Sequence, residues 1–168
     1  MKEPIIIFGT GGHFKSCLDI ILLENKYKFE FLVDINRSER KYNYEVKNEK
    51  NLDFKKIAKD IKNVFIAIGH IKSNEARKKL IEKLNKYNFN FPTIVSPRSI
   101  ISKNVNIGIG NIIMHDVIIN SGCNIGNHNI INNKALVEHD VKIQNYCHIS
   151  TSVVINGGCK INDNVFIG

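Results

Sequence analysis

The sequence predicts an α/β unit followed by a β-solenoid, and three observations carry that prediction. Every sixth residue from Val95 to Ile167 is a branched aliphatic, thirteen in a row: Val95, Ile101, Ile107, Ile113, Ile119, Ile125, Ile131, Val137, Ile143, Ile149, Ile155, Ile161 and Ile167. From Val105 on, the residues two places before each of these are mostly small: Val, Asn, Val, Cys, Asn, Ala, Val, Cys, Val, Cys, Val. Ahead of residue 95, apolar strand-like runs alternate with stretches of helical spacing, the pattern of a βαβ arrangement with parallel strands.

A period of six fits neither a helical face, which recurs about every 3.6 residues, nor a flat strand, which alternates roughly every 2. It requires a short strand and a corner, repeated in the same sense, which is the signature of a hexapeptide β-helix. In a strand, residues i−2 and i point to the same side, so each hexad sends one small and one large side chain inward and turns over the next three. The corner residues agree. Gly108, Asn120, Gly126, Asn132, Asn156 and Asn162 directly follow the large aliphatic, and Gly and Asn accept turn conformations that other residues resist. With three hexads to a triangular coil, the segment makes about four stacked coils.

In the first half, Pro4–Phe8 is a continuous apolar run consistent with a buried parallel strand. Gly9-Thr10-Gly11-Gly12-His13 follows, and Cys17, Leu18, Ile21 and Leu22 then have helical spacing. Strand, glycine loop and helix aim free backbone N–H groups at a phosphate. The dinucleotide fingerprint GxGxxG is not completed, because Phe14 holds its last position, which disfavours NAD. Phe29–Val33 reads as a second strand ending in Asp34-Ile35-Asn36, and an acid there is placed to hold a sugar hydroxyl or to cap a turn. Residues 37–52 read as polar loop with a short edge strand at Tyr44–Val46. Leu52–Ile61 reads as a helix, Val64–Ile68 as a third buried strand closed by Gly69-His70, and Ser73–Leu84 as a helix with apolar Ala76, Leu80, Ile81 and Leu84. Phe89–Val95 is expected to form a last strand, interrupted by Pro92, which places the domain boundary between residues 1–94 and 95–168.

Composition narrows the function classes. The net charge of +8 comes largely from lysines of the first half, such as Lys55, Lys56, Lys59, Lys78 and Lys79, interspersed with Asp, Glu and Asn. That is the pattern of solvated helix faces, and nucleic-acid binding is not expected. No apolar run reaches the roughly 18 residues needed to span a bilayer, so no membrane insertion is expected and the chain reads as cytoplasmic. Three of the four cysteines (Cys123, Cys147, Cys159) fall on the small inward register, and no CxxC pair occurs, so reduced core cysteines are expected.

The opening Ile5-Ile6-Ile7-Phe8-Gly9-Thr10-Gly11-Gly12-His13, the strand Phe65-Ile66-Ala67-Ile68-Gly69, the run Asn74-Glu75-Ala76-Arg77-Lys78-Lys79, and repeats carrying Val137-Glu138-His139-Asp140 and Cys147-His148-Ile149-Ser150 form a distinctive combination. It resembles the sialic acid O-acetyltransferase and bacillosamine-type nucleotide-sugar N-acetyltransferase family of hexapeptide-repeat acyltransferases. The resemblance implies a Rossmann-like sugar-binding domain, a left-handed parallel β-helix, and a homotrimer with acetyl-CoA between neighbouring helices. It further implies His139 and Asp140 as catalytic residues and His148 as a residue contacting acetyl-CoA. Gly12, His13, Phe14, Asp34 and Gly69 would hold a sugar or nucleotide-sugar substrate.

The chemistry suits these residue types. Acetyl transfer from a thioester needs a base for the attacking hydroxyl or amine, and histidine titrates near neutral pH. A carboxylate on its other ring nitrogen fixes the tautomer and stabilises the imidazolium. Glu138 and Asp140 both flank His139, and position alone does not choose between them. The repeat phase puts Val137 inward, so Glu138, His139 and Asp140 occupy the following corner, while His148, just before inward Ile149, faces out from a flat side; both histidines are expected on the coil surface. His115 and His128 read as surface residues at or near corners. γ-Class carbonic anhydrases use the same kind of β-helix with three zinc-bound histidines, including a pair five apart. Here the solenoid histidines 115, 128, 139 and 148 lack that spacing, so no metal is expected. The ladder stops at Gly168 in mid-repeat, whereas the resemblance implies further coils that complete the acetyl-CoA site. A C-terminally truncated chain with weak or absent turnover, or an inactive trimeric scaffold or sugar-binding module, is the corresponding expectation.

Overall fold

The structure is a computed structural model that describes residues 2–35 and 40–168. The expectations for Asn36 and for residues 37–39 of the polar loop lie outside the described residues. The chain forms two compact units, Met1–Gly69 with Glu75–Pro92, and His70–Asn74 with Thr93–Gly168.

The first unit is built on a four-stranded parallel sheet. Its elements are β1 (Glu3–Phe8), α1 (Gly12–Glu24), β2 (Tyr27–Asp34), β3 (Val46–Asn48), α2 (Phe54–Asp60), β4 (Asn63–Ile66) and α3 (Glu75–Asn85), with sheet order β3-β2-β1-β4. The central strand β1 is apolar on both faces because both are covered: Ile5, Ile6, Ile7 and Phe8 are all buried. Asp53 caps α2 by accepting the Lys56 N–H.

Two strand expectations are corrected. The edge strand begins at Val46 and pairs parallel to β2, while Lys41 and Tyr44 form a separate antiparallel bridge. Phe89–Val95 is not one strand: Asn90 makes an isolated bridge to Asn63, and Ile94–Val95 is already the first rung of the solenoid. Pro92 lies between them, and it has no N–H to continue a ladder.

The α3 run that carries part of the family resemblance turns out to be structural. Arg77 is 1% exposed and donates to the carbonyls of Ile66 and Ile68, the latter at 3.1 Å. Glu75 and Lys79 form an exposed i, i+4 ion pair. Arg77 shares a face with Leu80, Ile81 and Leu84, all buried, which the spacing of those residues from position 77 already implies.

The second unit is the parallel β-helix expected from the hexads, left-handed as the family resemblance implies. Each hexad contributes a two-residue strand, and strands 18 residues apart pair in parallel, as Ile94 does with Ile112. One face stacks Ile94–Val95, Ile112–Ile113, Ile130–Ile131, His148–Ile149 and Phe166–Ile167. The second stacks Ile100–Ile101, Ile118–Ile119, Leu136–Val137 and Val154–Ile155. The third stacks Asn106–Ile107, Asn124–Ile125, Lys142–Ile143 and Lys160–Ile161.

Both inward registers meet in one core that includes Ile113, Val117, Cys123, Ile131, Ala135, Val137, Cys147 and Ile149. Asparagines on the small register survive burial because each bonds along the stack. Asn111 Oδ1 accepts the Asn129 N–H and Asn129 Oδ1 accepts the Cys147 N–H, both at 2.7 Å, while Asn129 Nδ2 donates to the Gln144 carbonyl. The cysteines carry no disulfide, and Cys123 and Cys147 are buried as expected. Cys159, in the column of Cys123 and Val141, is exposed.

Candidate active site

The hexad corner after Leu136–Val137 carries Glu138, His139 and Asp140, and the structure decides which carboxylate serves the histidine. His139 Nδ1 lies 2.9 Å from Asp140 Oδ2. Glu138 turns away, with Oε2 accepting from Asn120 Nδ2 at 2.9 Å and its carbonyl accepting from the Cys123 thiol. Because the Asp140 carboxylate accepts, Nδ1 carries the ring proton and Nε2 is left with the lone pair. The hydrogen bond that His139 donates to Asp140, reinforced by the carboxylate's charge, raises the His139 pKa above its ordinary 6.5. Both side chains are exposed, at 67% and 70%.

The surroundings of the pair are glycine. A Cβ added at Gly157, one coil on, would stand 2.6 Å from His139 Nε2, and one at Gly122, one coil back from Asp140, would stand 2.3 Å from Asp140 Oδ1. Neither residue stands out in the sequence until the coil length is known, when they become the stacked neighbours at +18 and −18.

His148 differs from expectation. It stands on a flat face, as its phase requires, but it is only 7% exposed. The segment His70–Asn74 covers it. His148 Nδ1 donates to the His70 carbonyl at 2.6 Å, its ring meets those of His70 and Phe166 edge-on, and Asn74 Nδ2 donates to the Tyr146 carbonyl and Asn164 Oδ1. A carbonyl only accepts, so this ring too is protonated on Nδ1, and Asn132 Nδ2 lies 3.3 Å from Nε2. The other solenoid histidines are also engaged: His115 Nδ1 is 2.8 Å from Ser96 Oγ, and His128, buried rather than on the surface, stacks on Tyr146.

In the first unit, the expected substrate residues gather at the C-terminal ends of β1, β2 and β4, the edge where open parallel sheets bind ligands. Gly12 and His13 open α1, whose cap residue Gly11 makes no side-chain hydrogen bond. Gly69 presses on His13, since a Cβ there would lie 3.2 Å from its Cβ and Cγ. Asp34 Oδ2 accepts from the Thr10 N–H at 3.2 Å and from the Thr10 hydroxyl at 2.5 Å, tying the glycine loop to the end of β2. Thr10 further accepts at its carbonyl from Lys41 Nζ. Phe14 has its side chain fully buried in the core, with its ring 5.8 Å from that of Tyr42, which leaves its backbone in the first turn of α1 to meet a ligand. The helix turns it inward, one residue after His13.

Among the described residues, no group of three or more His, Cys, Asp or Glu is placed to hold a metal ion, and no helix is long and apolar enough to cross a membrane.

A parallel β-helix of hexapeptide repeats is also the fold of acetyltransferases of known structure. Residues 4–84 match the PglD N-terminal domain. Over these residues the chain is similar in sequence to that domain, and as a whole it is similar in structure to sugar acetyltransferases. It is similar to a histidine-to-asparagine variant of perosamine N-acetyltransferase from Caulobacter crescentus, solved with CoA and GDP-perosamine: 26% identity, TM-score 0.88, covering 97% of this chain and 76% of that one. It shares its fold with the acetyltransferase domain of PglB from Neisseria gonorrhoeae in complex with acetyl coenzyme A (21% identity, TM-score 0.87, covering 100% and 80%). It shares it likewise with WeeI from Acinetobacter baumannii (20% identity, TM-score 0.75, covering 99% and 89%). No curated protein matches the chain in sequence.

Proposed function

We propose that the protein transfers the acetyl group of acetyl-CoA to a sugar, either a nucleotide-linked amino sugar or a sialic acid-like sugar, in the cytoplasmic biosynthesis of surface glycans. The observation that carries this reading is the exposed His139–Asp140 pair, with Nε2 of His139 left as the base. Nε2 takes the proton of the attacking amine or hydroxyl as the new N–C or O–C bond forms at the thioester carbon. Collapse breaks the C–S bond, and the imidazolium returns the proton to the CoA sulfur. Asp140 holds the ring in the productive tautomer and stabilises the imidazolium. The complexes of the perosamine enzyme with CoA and GDP-perosamine favour an amino sugar on a nucleoside diphosphate. Gly12, His13, Asp34 and Gly69 gather where such a substrate would lie, at the strand ends.

The reading includes a homotrimer. The outward residues of the second solenoid face are Ile100, Ile118, Leu136 and Val154. Ile100 is 65% and Val154 59% exposed in the single chain, and an apolar stripe of this kind calls for a covering partner. The His139 corner directly follows this face, so a neighbouring copy would border the base.

Release of CoA thiol from acetyl-CoA tests the reading with GDP- and UDP-linked amino sugars, sialic acid and simple hexoses as acceptors. Release with an amino-sugar nucleotide is expected, and no release with any acceptor would overturn it. The pH profile carries a second prediction. The base acts unprotonated, so kcat/KM is expected to rise with pH through the His139 titration, which Asp140 holds above 6.5. Asp140→Asn is expected to lower kcat at least about 10-fold and to move that rise to lower pH. An unmoved profile would remove Asp140 from the mechanism.

A further inference from the structure

We infer that Gly122 is a positioning residue for the acetyl-transfer reaction, placed one coil before Asp140 so that the Asp140 carboxylate can lie against it and present its other oxygen to His139. The inference rests on the proposed function for its catalytic meaning and on geometry for everything else.

Gly122 has φ +79°, in the left-handed region, but that conformation does not by itself call for glycine in this solenoid. The corresponding corner position is held at φ 58° to 64° by Asp116, His128, Lys134, Asp140, Tyr146, Ser152 and Asn164, all with side chains. The corner therefore tolerates side chains wherever the stacked neighbour leaves room.

At Gly122 the neighbour leaves none. Asp140 stacks on it across one coil: the Asp140 N–H donates to the Ser121 carbonyl at 3.0 Å, while the Gly122 N–H donates to the Asn104 carbonyl one coil further back. A Cβ at 122 would stand 2.3 Å from Asp140 Oδ1 and 3.3 Å from its carboxyl carbon. Oδ1 thus occupies the space a side chain would take, and Oδ2, the other oxygen, is the one 2.9 Å from His139 Nδ1. Pushing Oδ1 aside must swing Oδ2 as well, because the two share one rigid carboxylate.

Two charged groups bear on His139, Asp140 and Glu138. The flanking coils present Ser121, Gly122, Gly157 and Gly158 to the corner, none of them titratable. A change in the His139 titration caused at position 122 is therefore transmitted through Asp140.

The test is an NMR titration of the His139 imidazole in the whole protein, with steady-state acetyl transfer in parallel, for Gly122→Asn; Asn tolerates the left-handed conformation. Gly122→Asn is expected to bring the His139 pKa down toward 6.5 and to cut kcat about 10-fold, less than the 10²- to 10⁴-fold worth of a general base because the base itself stays in place. In an Asp140→Gly background, Gly122→Asn is expected to add no further shift, the mark of two residues acting through one contact. If Gly122→Asn does not fold, Gly122→Ala brings the same Cβ and nothing beyond it. An unchanged His139 titration in the folded variant would overturn the inference even if the protein proves to be an acetyltransferase. Loss of the raised titration in a protein that transfers no acetyl group would leave the positioning intact and remove the proposed function.

Discussion

Replacing His139 by Ala is expected to reduce acetyl transfer by about 10²- to 10⁴-fold, the usual worth of a general base, with the β-helix intact. The second half of that expectation follows from exposure. His139 is 67% exposed at a corner and contributes nothing to the aliphatic core inside the coil. Its main-chain carbonyl still accepts the Gly158 N–H after truncation. The loss should therefore lie in kcat with the unfolding midpoint held. Activity within about threefold of wild type, with each one pKa unit or tenfold worth about 1.4 kcal/mol, would mean that another group takes the proton.

Replacing Arg77 by Leu is expected to act on stability. Arg77 is a fully buried cation whose guanidinium donates to two carbonyls at the end of β4, those of Ile66 and Ile68. Leu fills part of the volume and satisfies neither acceptor. Leaving buried acceptors without these donors costs about 1–3 kcal/mol each, so a loss of about 2–6 kcal/mol is expected, read as an earlier unfolding transition in urea. The same change loosens the chain just before Gly69, which presses on His13, so KM for the sugar should rise as well. A variant as stable as wild type would show that desolvation of the buried charge cancels its hydrogen bonds, an outcome known for buried ion pairs.

Much of the fold was legible because its physics is local and repeated. A two-residue strand with one large and one small inward side chain recurs every six positions, so each hexad restates the same evidence and the coil count follows. The buried parallel strand β1 was legible for a related reason: a sheet covered on both faces leaves an uninterrupted apolar run. Boundaries were less legible. Whether Phe89–Val95 forms one strand depends on which partners Asn90 and Ile94 find, and they find different ones, Asn63 and Ile112.

The site was legible in its composition and less so in its contacts. Phase placed Glu138, His139 and Asp140 on one corner, but a sequence cannot orient two carboxylates that flank one ring. That is fixed by the coil before, where Asn120 takes Glu138 and Gly122 makes room for Asp140. Phase also put His148 on a flat face and could not foresee that a segment 78 residues earlier would close over it.

The sequence by itself therefore determined the repeat, the inward registers, and the corner on which a histidine stands between two acids, because each of these is set by residues within one or two hexads. Only the tertiary structure decided which acid partners that histidine, which glycines leave room for the pair, and which histidine is hidden. Those contacts join residues a full coil or more apart, where no local pattern reaches.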